Sequence, residues 1–137
     1  MRIGVFMSLL EWRNEYAVGN DAVDHDHRNL IDKINAIYGS LGLQMDILKV
    51  EAMLSDLQAD ISEHFALEEL LMHQAGFVEY ETHKQDHESL LDQINDLIFS
   101  FSEDPHAGRE LLTSQLSDWF GRHFTTFDAR LHNQLEA

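Results

Sequence analysis

The sequence of 137 residues contains no cysteine, a single proline and only seven glycines. The lack of cysteine excludes disulfides, thiolate metal ligands and cysteine nucleophiles. Because proline and glycine punctuate turns, their scarcity disfavours a sandwich or barrel of short strands and favours helices. Hydrophobic residues make up 44% of the chain, which is enough for a packed core, and the length suits one domain.

Positive charge is scarce as well, since nine Lys and Arg stand against 25 Asp and Glu, which gives a formal net charge of −16. Nucleic acids and anionic membrane surfaces both bind through Lys and Arg, so neither is an expected partner. No apolar run reaches the roughly 20 residues that a membrane span requires. The apolar run at residues 3–10 is short and lacks a small-residue cleavage pattern behind it. We therefore do not interpret it as a signal peptide, and we predict a cytoplasmic protein.

Four long stretches repeat apolar residues every three or four positions, which is the spacing of one helix face. They lie near 21–41, 45–75, 79–102 and 106–135, separated by turn and capping residues. Four such helices with short connections predict an all-α fold, an antiparallel up-down-up-down four-helix bundle over residues 21–137. Residues 1–20 are predicted to form an N-terminal arm packed on the bundle. The predicted core includes Leu71 and Ala75 in the second stretch and Trp119 in the fourth.

Ionisable residues interrupt these apolar stripes where core side chains are expected. They are His27, His64, Glu68, His83, His87 and His123. A buried polar group without a partner costs several kcal/mol, so one sequence would not repeat that cost on four helices without compensation. A single His-x-x-x-His pair would be a weak signal, but these residues lie at similar depth on four neighbouring helices. We interpret them as converging metal ligands in the core.

The other four histidines fall off the stripes. They are His25, His73, His106 and His132. A position on the outward face of a helix, or near a terminus, is typical of a solvated histidine. We therefore predict that these four lie on the surface.

Four motifs in order resemble the hemerythrin family, particularly its single-domain bacterial form. They are Asp24-x-x-His27-Arg28-x-Leu30, His64-Phe65-x-x-Glu68-Glu69-x-x-Met72, His83-x-x-x-His87 and His123-Phe124-x-x-x-Asp128. The resemblance extends from about Leu9 to Leu131 and implies a non-haem site of two iron ions. It implies that His83, His87 and His123 bind one iron, that His27 and His64 bind the other, and that Glu68 and Asp128 bridge them.

Imidazole with carboxylate is a donor set that suits iron, with zinc, manganese or copper as possible substitutes. As the resemblance implies, the irons would share an oxo or hydroxo bridge, and the iron with two histidines would keep one open position. O2 would bind there, with NO and other small molecules as further ligands. The implied function is reversible O2 binding for storage, transport or delivery, without catalysis.

Two other functions stay open on the sequence. A sensor or scavenger of O2, NO or peroxide that acts through a partner would use the same residues. A di-iron oxidase or peroxidase is less well supported, because such enzymes carry Glu-x-x-His on two helices. The one such pair here, Glu103 and His106, straddles Pro105.

The spacing of His123 and Asp128 makes a geometric prediction. Residues five apart are separated by about 140° around a regular α-helix, so both cannot face one site. We therefore predict a π-bulge, a kink or a helix end between Arg122 and Asp128.

Nearer the N-terminus, Asp24 has two possible roles: it could accept a hydrogen bond from His27 or stabilise the first turn of its helix. Glu69 is expected to be a solvated or interhelical charge.

Overall fold

The computed structural model describes residues 20–42 and 44–126. Apart from Asn20, the predicted N-terminal arm lies outside the described residues. The same holds for Asp128, for His132 and for the predicted fourth helix beyond residue 126.

Four α-helices form the described part of the chain. They are α1 (Asp21–Gly39), α2 (Ile47–Ala75), α3 (Tyr80–Glu103) and α4 (Pro105–Thr126). Each helix packs on the next one along the chain, and α1 also contacts α4, so the four close into a bundle. The predicted all-helical bundle is confirmed, and the helix bounds lie within two residues of the predicted ones wherever both ends are described. Across the described ranges, no helix is long and apolar enough to cross a membrane.

Local signals in the sequence account for the helix ends. The side chain of Asn20 accepts hydrogen bonds from the backbone N–H groups of Ala22 and Val23, which caps the start of α1. Helix α2 ends at Gly76, whose φ of 65° is the left-handed conformation that glycine adopts without strain. Between α3 and α4, Asp104 caps the new helix, and Pro105 occupies its first position, where no backbone N–H is needed.

The apolar core has two parts, with a polar layer between them. The larger cluster includes Leu30, Ile61, Leu90 and Phe120, and it runs along most of the bundle. A smaller cluster centres on Val23 and Met72. Along α1, α2 and α3, the ionisable core residues lie between residues of the two clusters: the larger cluster is on one side in sequence and the smaller one on the other. This arrangement encloses them between apolar layers.

The structure corrects three predicted core positions. On α2, Met72 is fully buried, whereas Leu71 is only partly buried and Ala75 is exposed. On α4, Phe120 is fully buried and Trp119 is partly buried. The rest of each predicted stripe is buried, so the correction is local: Met72 replaces Leu71, and Phe120 replaces Trp119. Packing against the neighbouring helices sets which residue of a wide apolar face turns inward.

Candidate metal centre

The structure brings six of the seven predicted site residues together in the bundle core. They are His27 on α1, His64 and Glu68 on α2, His83 and His87 on α3, and His123 on α4. Each of these side chains is at most 2% exposed. Helix periodicity explains their convergence, since the pairs on α2 and α3 are four residues apart and share a helix face.

The Glu68 carboxylate lies at the centre of the group. Its Oε2 atom is 2.8 Å from Nε2 of His27 and 2.9 Å from Nε2 of His64. Its Oε1 atom is 3.0 Å from Nε2 of His87 and 3.6 Å from Nε2 of His83. The two oxygens of one carboxylate thus face two different pairs of histidines.

The donor atoms fall into two groups that could each hold a metal ion. One group is Glu68, His83, His87 and His123, and the other is His27, His64 and Glu68; within each group the donor atoms lie within 4.8 Å of one another. Glu68 belongs to both. Two ligands at right angles, each about 2.1 Å from one ion, are separated by about 3 Å, which matches most of the spacings around Glu68.

Hydrogen bonding alone does not account for the convergence. Three buried atoms in the centre make no hydrogen bond, namely Nε2 of His64, Nε2 of His87 and Oε1 of Glu68. Buried nitrogen and oxygen atoms in proteins are nearly always satisfied. The residues present therefore fit a pair of cations that would take up these lone pairs.

Three carboxylates outside the group hold the outward-facing Nδ1 atoms of three rings. The pairs, with their O–Nδ1 distances, are Asp26 with His64 (3.4 Å), Glu69 with His87 (2.9 Å) and Asp86 with His123 (2.6 Å). A ring that donates its Nδ1–H to a carboxylate carries its lone pair on Nε2. The outer carboxylates thus favour the tautomer that a metal requires and fix the orientation of each ring.

Sequence reasoning missed Asp26 and Asp86, although a signal for both was present. Each directly precedes a core histidine, Asp26 before His27 and Asp86 before His87. A neighbour in sequence is rotated by about 100° around the helix, so it points towards the adjacent helix and not into the centre. Asp24 lies in the first turn of α1, where the helix dipole favours a negative charge.

The electrostatics of the centre follow from burial and from the opposed charges. Burial raises the pKa of Glu68, but the neighbouring imidazoles outweigh it and hold this pKa well below 4.5. Burial lowers the pKa of His64, but the charge of Glu68 and the hydrogen bond with Asp26 leave it raised above 6.5. That same hydrogen bond from His64 lowers the pKa of Asp26.

Aromatic and aliphatic side chains enclose the centre on the side of the larger apolar cluster. Phe65 stacks on His87 with ring centroids 3.8 Å apart and planes within 4° of parallel. Leu30, Ile61 and Leu90 are each at most 5% exposed. These side chains keep bulk water away from the converging donors.

The remaining sequence predictions divide between described and undescribed residues. His25, His73 and His106 are exposed, as predicted. Helix α4 is α-helical from Arg122 to Thr126, the last described residue, and the predicted irregularity before Asp128 stays a prediction. Asp128 itself lies outside the described residues, and its part in the centre stays a prediction.

Comparison with known sequences finds similarity over nearly the whole chain. The profile of the hemerythrin HHE cation binding domain matches residues 18–135. The bacteriohemerythrin of Stenotrophomonas maltophilia is 28% identical over 131 residues, which cover 96% of this chain and 84% of that protein. The bacteriohemerythrin of Aquifex aeolicus is 26% identical over 120 residues, covering 86% and 91%.

Solved structures of hemerythrins have the same fold. The wild-type crystal structure superposes with a TM-score of 0.79 at 24% identity, covering 95% of this chain and all of that one. A leucine-to-tyrosine variant of hemerythrin gives a TM-score of 0.81, also at 24% identity, over 96% of this chain. At this level of identity the structural likeness supports the bundle architecture.

Proposed function

The chain belongs to the hemerythrin HHE cation binding domain family, and from this premise we propose that it binds O2 reversibly at two iron ions in the bundle core. The observation that carries the proposal is the position of Glu68. Its two oxygens face two separate sets of imidazoles, as a carboxylate shared by two ions must. No single ion could use both sets within ordinary coordination distances.

We assign the ligands from the two groups of donors. His83, His87 and His123 would hold one ion and His27 and His64 the other, with Glu68 shared by both. Asp128 would be a second shared ligand, which rests on the sequence motif alone. The first ion would then have one protein ligand more than the second. With an equal share of the bridging groups, the two-histidine ion would keep a position for a small exogenous ligand.

When bound, two ferrous ions supply the electrons that O2 takes up on binding and returns on release. The protein has to hold the ions at a fixed spacing and keep water from the bound ligand. Three of the five imidazoles serve the first need directly, because the outer carboxylates Asp26, Glu69 and Asp86 fix their orientation. The apolar layers above and below the centre serve the second by limiting the access of water along the bundle axis. A cytoplasmic location is part of this proposal.

Metal analysis combined with optical spectroscopy tests the proposal. The isolated protein is expected to contain two iron ions per chain. The reduced protein should gain a charge-transfer absorption band in air and lose it under vacuum over repeated cycles. Irreversible oxidation coupled to turnover of a reductant would indicate an oxidase and contradict a carrier. A protein that binds iron but shows no change in spectrum with O2 would contradict O2 binding.

A further inference from the structure

The two groups of donors differ in strength. The group of Glu68, His83, His87 and His123 offers three imidazoles, and the group of Glu68, His27 and His64 offers two. Imidazole suits divalent first-row metals such as iron, so three imidazoles favour tighter binding of a metal ion than two.

The hydrogen bonds from the outer carboxylates also favour tighter metal binding in the three-histidine group. In the three-histidine group, the Nδ1–O distances are 2.9 Å from His87 to Glu69 and 2.6 Å from His123 to Asp86. In the two-histidine group, His64 lies 3.4 Å from Asp26, which is beyond the usual length of a strong charge-assisted hydrogen bond. Phe65 also stacks on His87 and limits the motion of that ring.

The surface above each group differs in charge. A pocket of about 140 Å³ reaches His64, and its wall carries the carboxylates of Asp26, Asp60 and Glu63. Lys33 forms an ion pair with Asp60, so the excess negative charge of the wall comes from Asp26 and Glu63. That volume has room for several water molecules, and its charge attracts cations. A smaller pocket of about 80 Å³ reaches His123, where the guanidinium of Arg122 accompanies the carboxylate of Asp86. Solvent cations thus meet an acidic wall on the side of the two-histidine group.

We propose that the two metal positions are unequal, so that the three-histidine ion is tightly held and the two-histidine ion exchanges with solvent beside Asp26. This inference rests on the proposed function, because it presupposes two ions. Asp26 then acts as a positioning residue for the exchangeable ion, through His64. Asp86 acts in the same way for the tightly held ion, through His123.

Chelation of the metal-loaded protein tests the inequality. The protein is exposed to EDTA, and native mass spectrometry counts the ions per chain over time. We expect the two-metal form to pass through a one-metal form that accumulates before metal-free protein appears. Loss of both ions in one step, with no one-metal form, would overturn the inference.

Substitution of the two positioning residues assigns the steps. Asp26→Ala should accelerate loss of the first ion by about 10- to 100-fold and leave the second unchanged. Asp86→Ala should accelerate loss of the second ion instead. Asp26→Asn and Asp86→Asn keep an oxygen acceptor for the Nδ1–H and should restore most of the retention. If both alanine variants acted on the same step, the assignment would be wrong.

Exposed carboxylates on the same helices provide matched controls. Asp32 on α1 and Glu88 on α3 are both exposed, and Asp32→Asn and Glu88→Gln should release metal at the wild-type rate. Circular dichroism of each variant checks that the helices are intact, because a merely unfolded bundle would lose both ions together. A wild-type protein that never holds two ions would overturn the proposed function itself, whereas two ions that leave together would overturn only the inequality.

Discussion

At the scale of single residues, Glu68 illustrates how a buried charge becomes tolerable. A carboxylate with no exposed surface would be expensive to ionise in an apolar core. Four imidazole nitrogens within 3.6 Å offset that cost, and those of His64, His27 and His83 lower its pKa. The histidines therefore stabilise the ionised form of Glu68 in the core, and this anionic carboxylate is what the proposed ions would share.

Replacement of this residue is the most direct test of a shared ligand. Glu68→Gln keeps the size of the side chain but offers one neutral oxygen and one N–H donor in place of two anionic oxygens. We expect the metal content to fall from two ions per chain to one or none, as measured by metal analysis of the purified variant.

A surface glutamate controls for the loss of charge. Glu88→Gln changes the net charge equally at an exposed position and should keep two ions. A folded Glu68→Gln protein that still holds two ions would contradict the shared role of this carboxylate.

At the scale of helices, the outer carboxylates form a sequential pattern around the bundle. A carboxylate on α1 contacts a histidine on α2, one on α2 contacts α3, and one on α3 contacts α4. Each of these carboxylates is next in sequence to a residue of the centre: they are Asp26, Glu69 and Asp86. One residue of each pair of neighbours thus faces the centre while the other orients a ligand on the following helix. For Glu69, this confirms an interhelical contact.

The close crossing of α3 and α4 depends on a glycine. A Cβ atom added to Gly108 would collide with the backbone of Phe101 and lie 2.8 Å from its nitrogen. Backbone atoms cannot rotate away as a side chain can, so the helices would have to separate. Phe101 is fully buried in the larger apolar cluster, and separation would disturb that packing.

Gly108→Ala should therefore lower the free energy of unfolding by about 1–3 kcal/mol, despite the higher helix propensity of alanine. Thermal or denaturant unfolding at equal metal content measures this change. Gly39→Ala serves as the control, because no atom lies within 4 Å of its added Cβ. That variant should be as stable as the wild type or slightly more stable. Equal stability of both variants would show that α3 and α4 do not need the glycine.

At the scale of the whole molecule, the candidate centre joins all four helices at one level. Its residues come from α1, α2, α3 and α4, so each proposed ion would cross-link helices in addition to their apolar contacts and hydrogen bonds. Ions that bind the folded state and not the unfolded chain stabilise it by mass action. Without them, the imidazoles and Glu68 must satisfy one another in an apolar core.

Removal of metal should therefore destabilise the bundle. An ion present at about 1,000 times its dissociation constant contributes about 4 kcal/mol, which corresponds to a change in Tm on the order of 10 °C for a domain of this size. Thermal unfolding followed by circular dichroism, before and after chelation, measures the difference. As a control, chelator should not change the Tm of Glu68→Gln protein that is already free of metal. If chelator also left the Tm of the wild type unchanged, that result would argue against ions that cross-link the helices.

The sequence by itself determined the four helices, their approximate bounds and six residues of the candidate centre. These features follow from local rules, because a period of 3.6 residues places a side chain on the inner or outer face of its own helix. Histidines and a glutamate on inner faces were therefore recognisable from spacing and from the cost of burying them. The resemblance to a known family added the expected iron, O2 and Asp128.

Only the tertiary structure decided how the helices rotate against each other. That rotation buries Met72 and Phe120 where Leu71 and Trp119 were predicted, and it presents the two oxygens of Glu68 to different histidines. It also aims Asp26 at His64 on the neighbouring helix. These features depend on the distance and angle between helices, which packing of the whole core sets and the periodicity of a single helix does not.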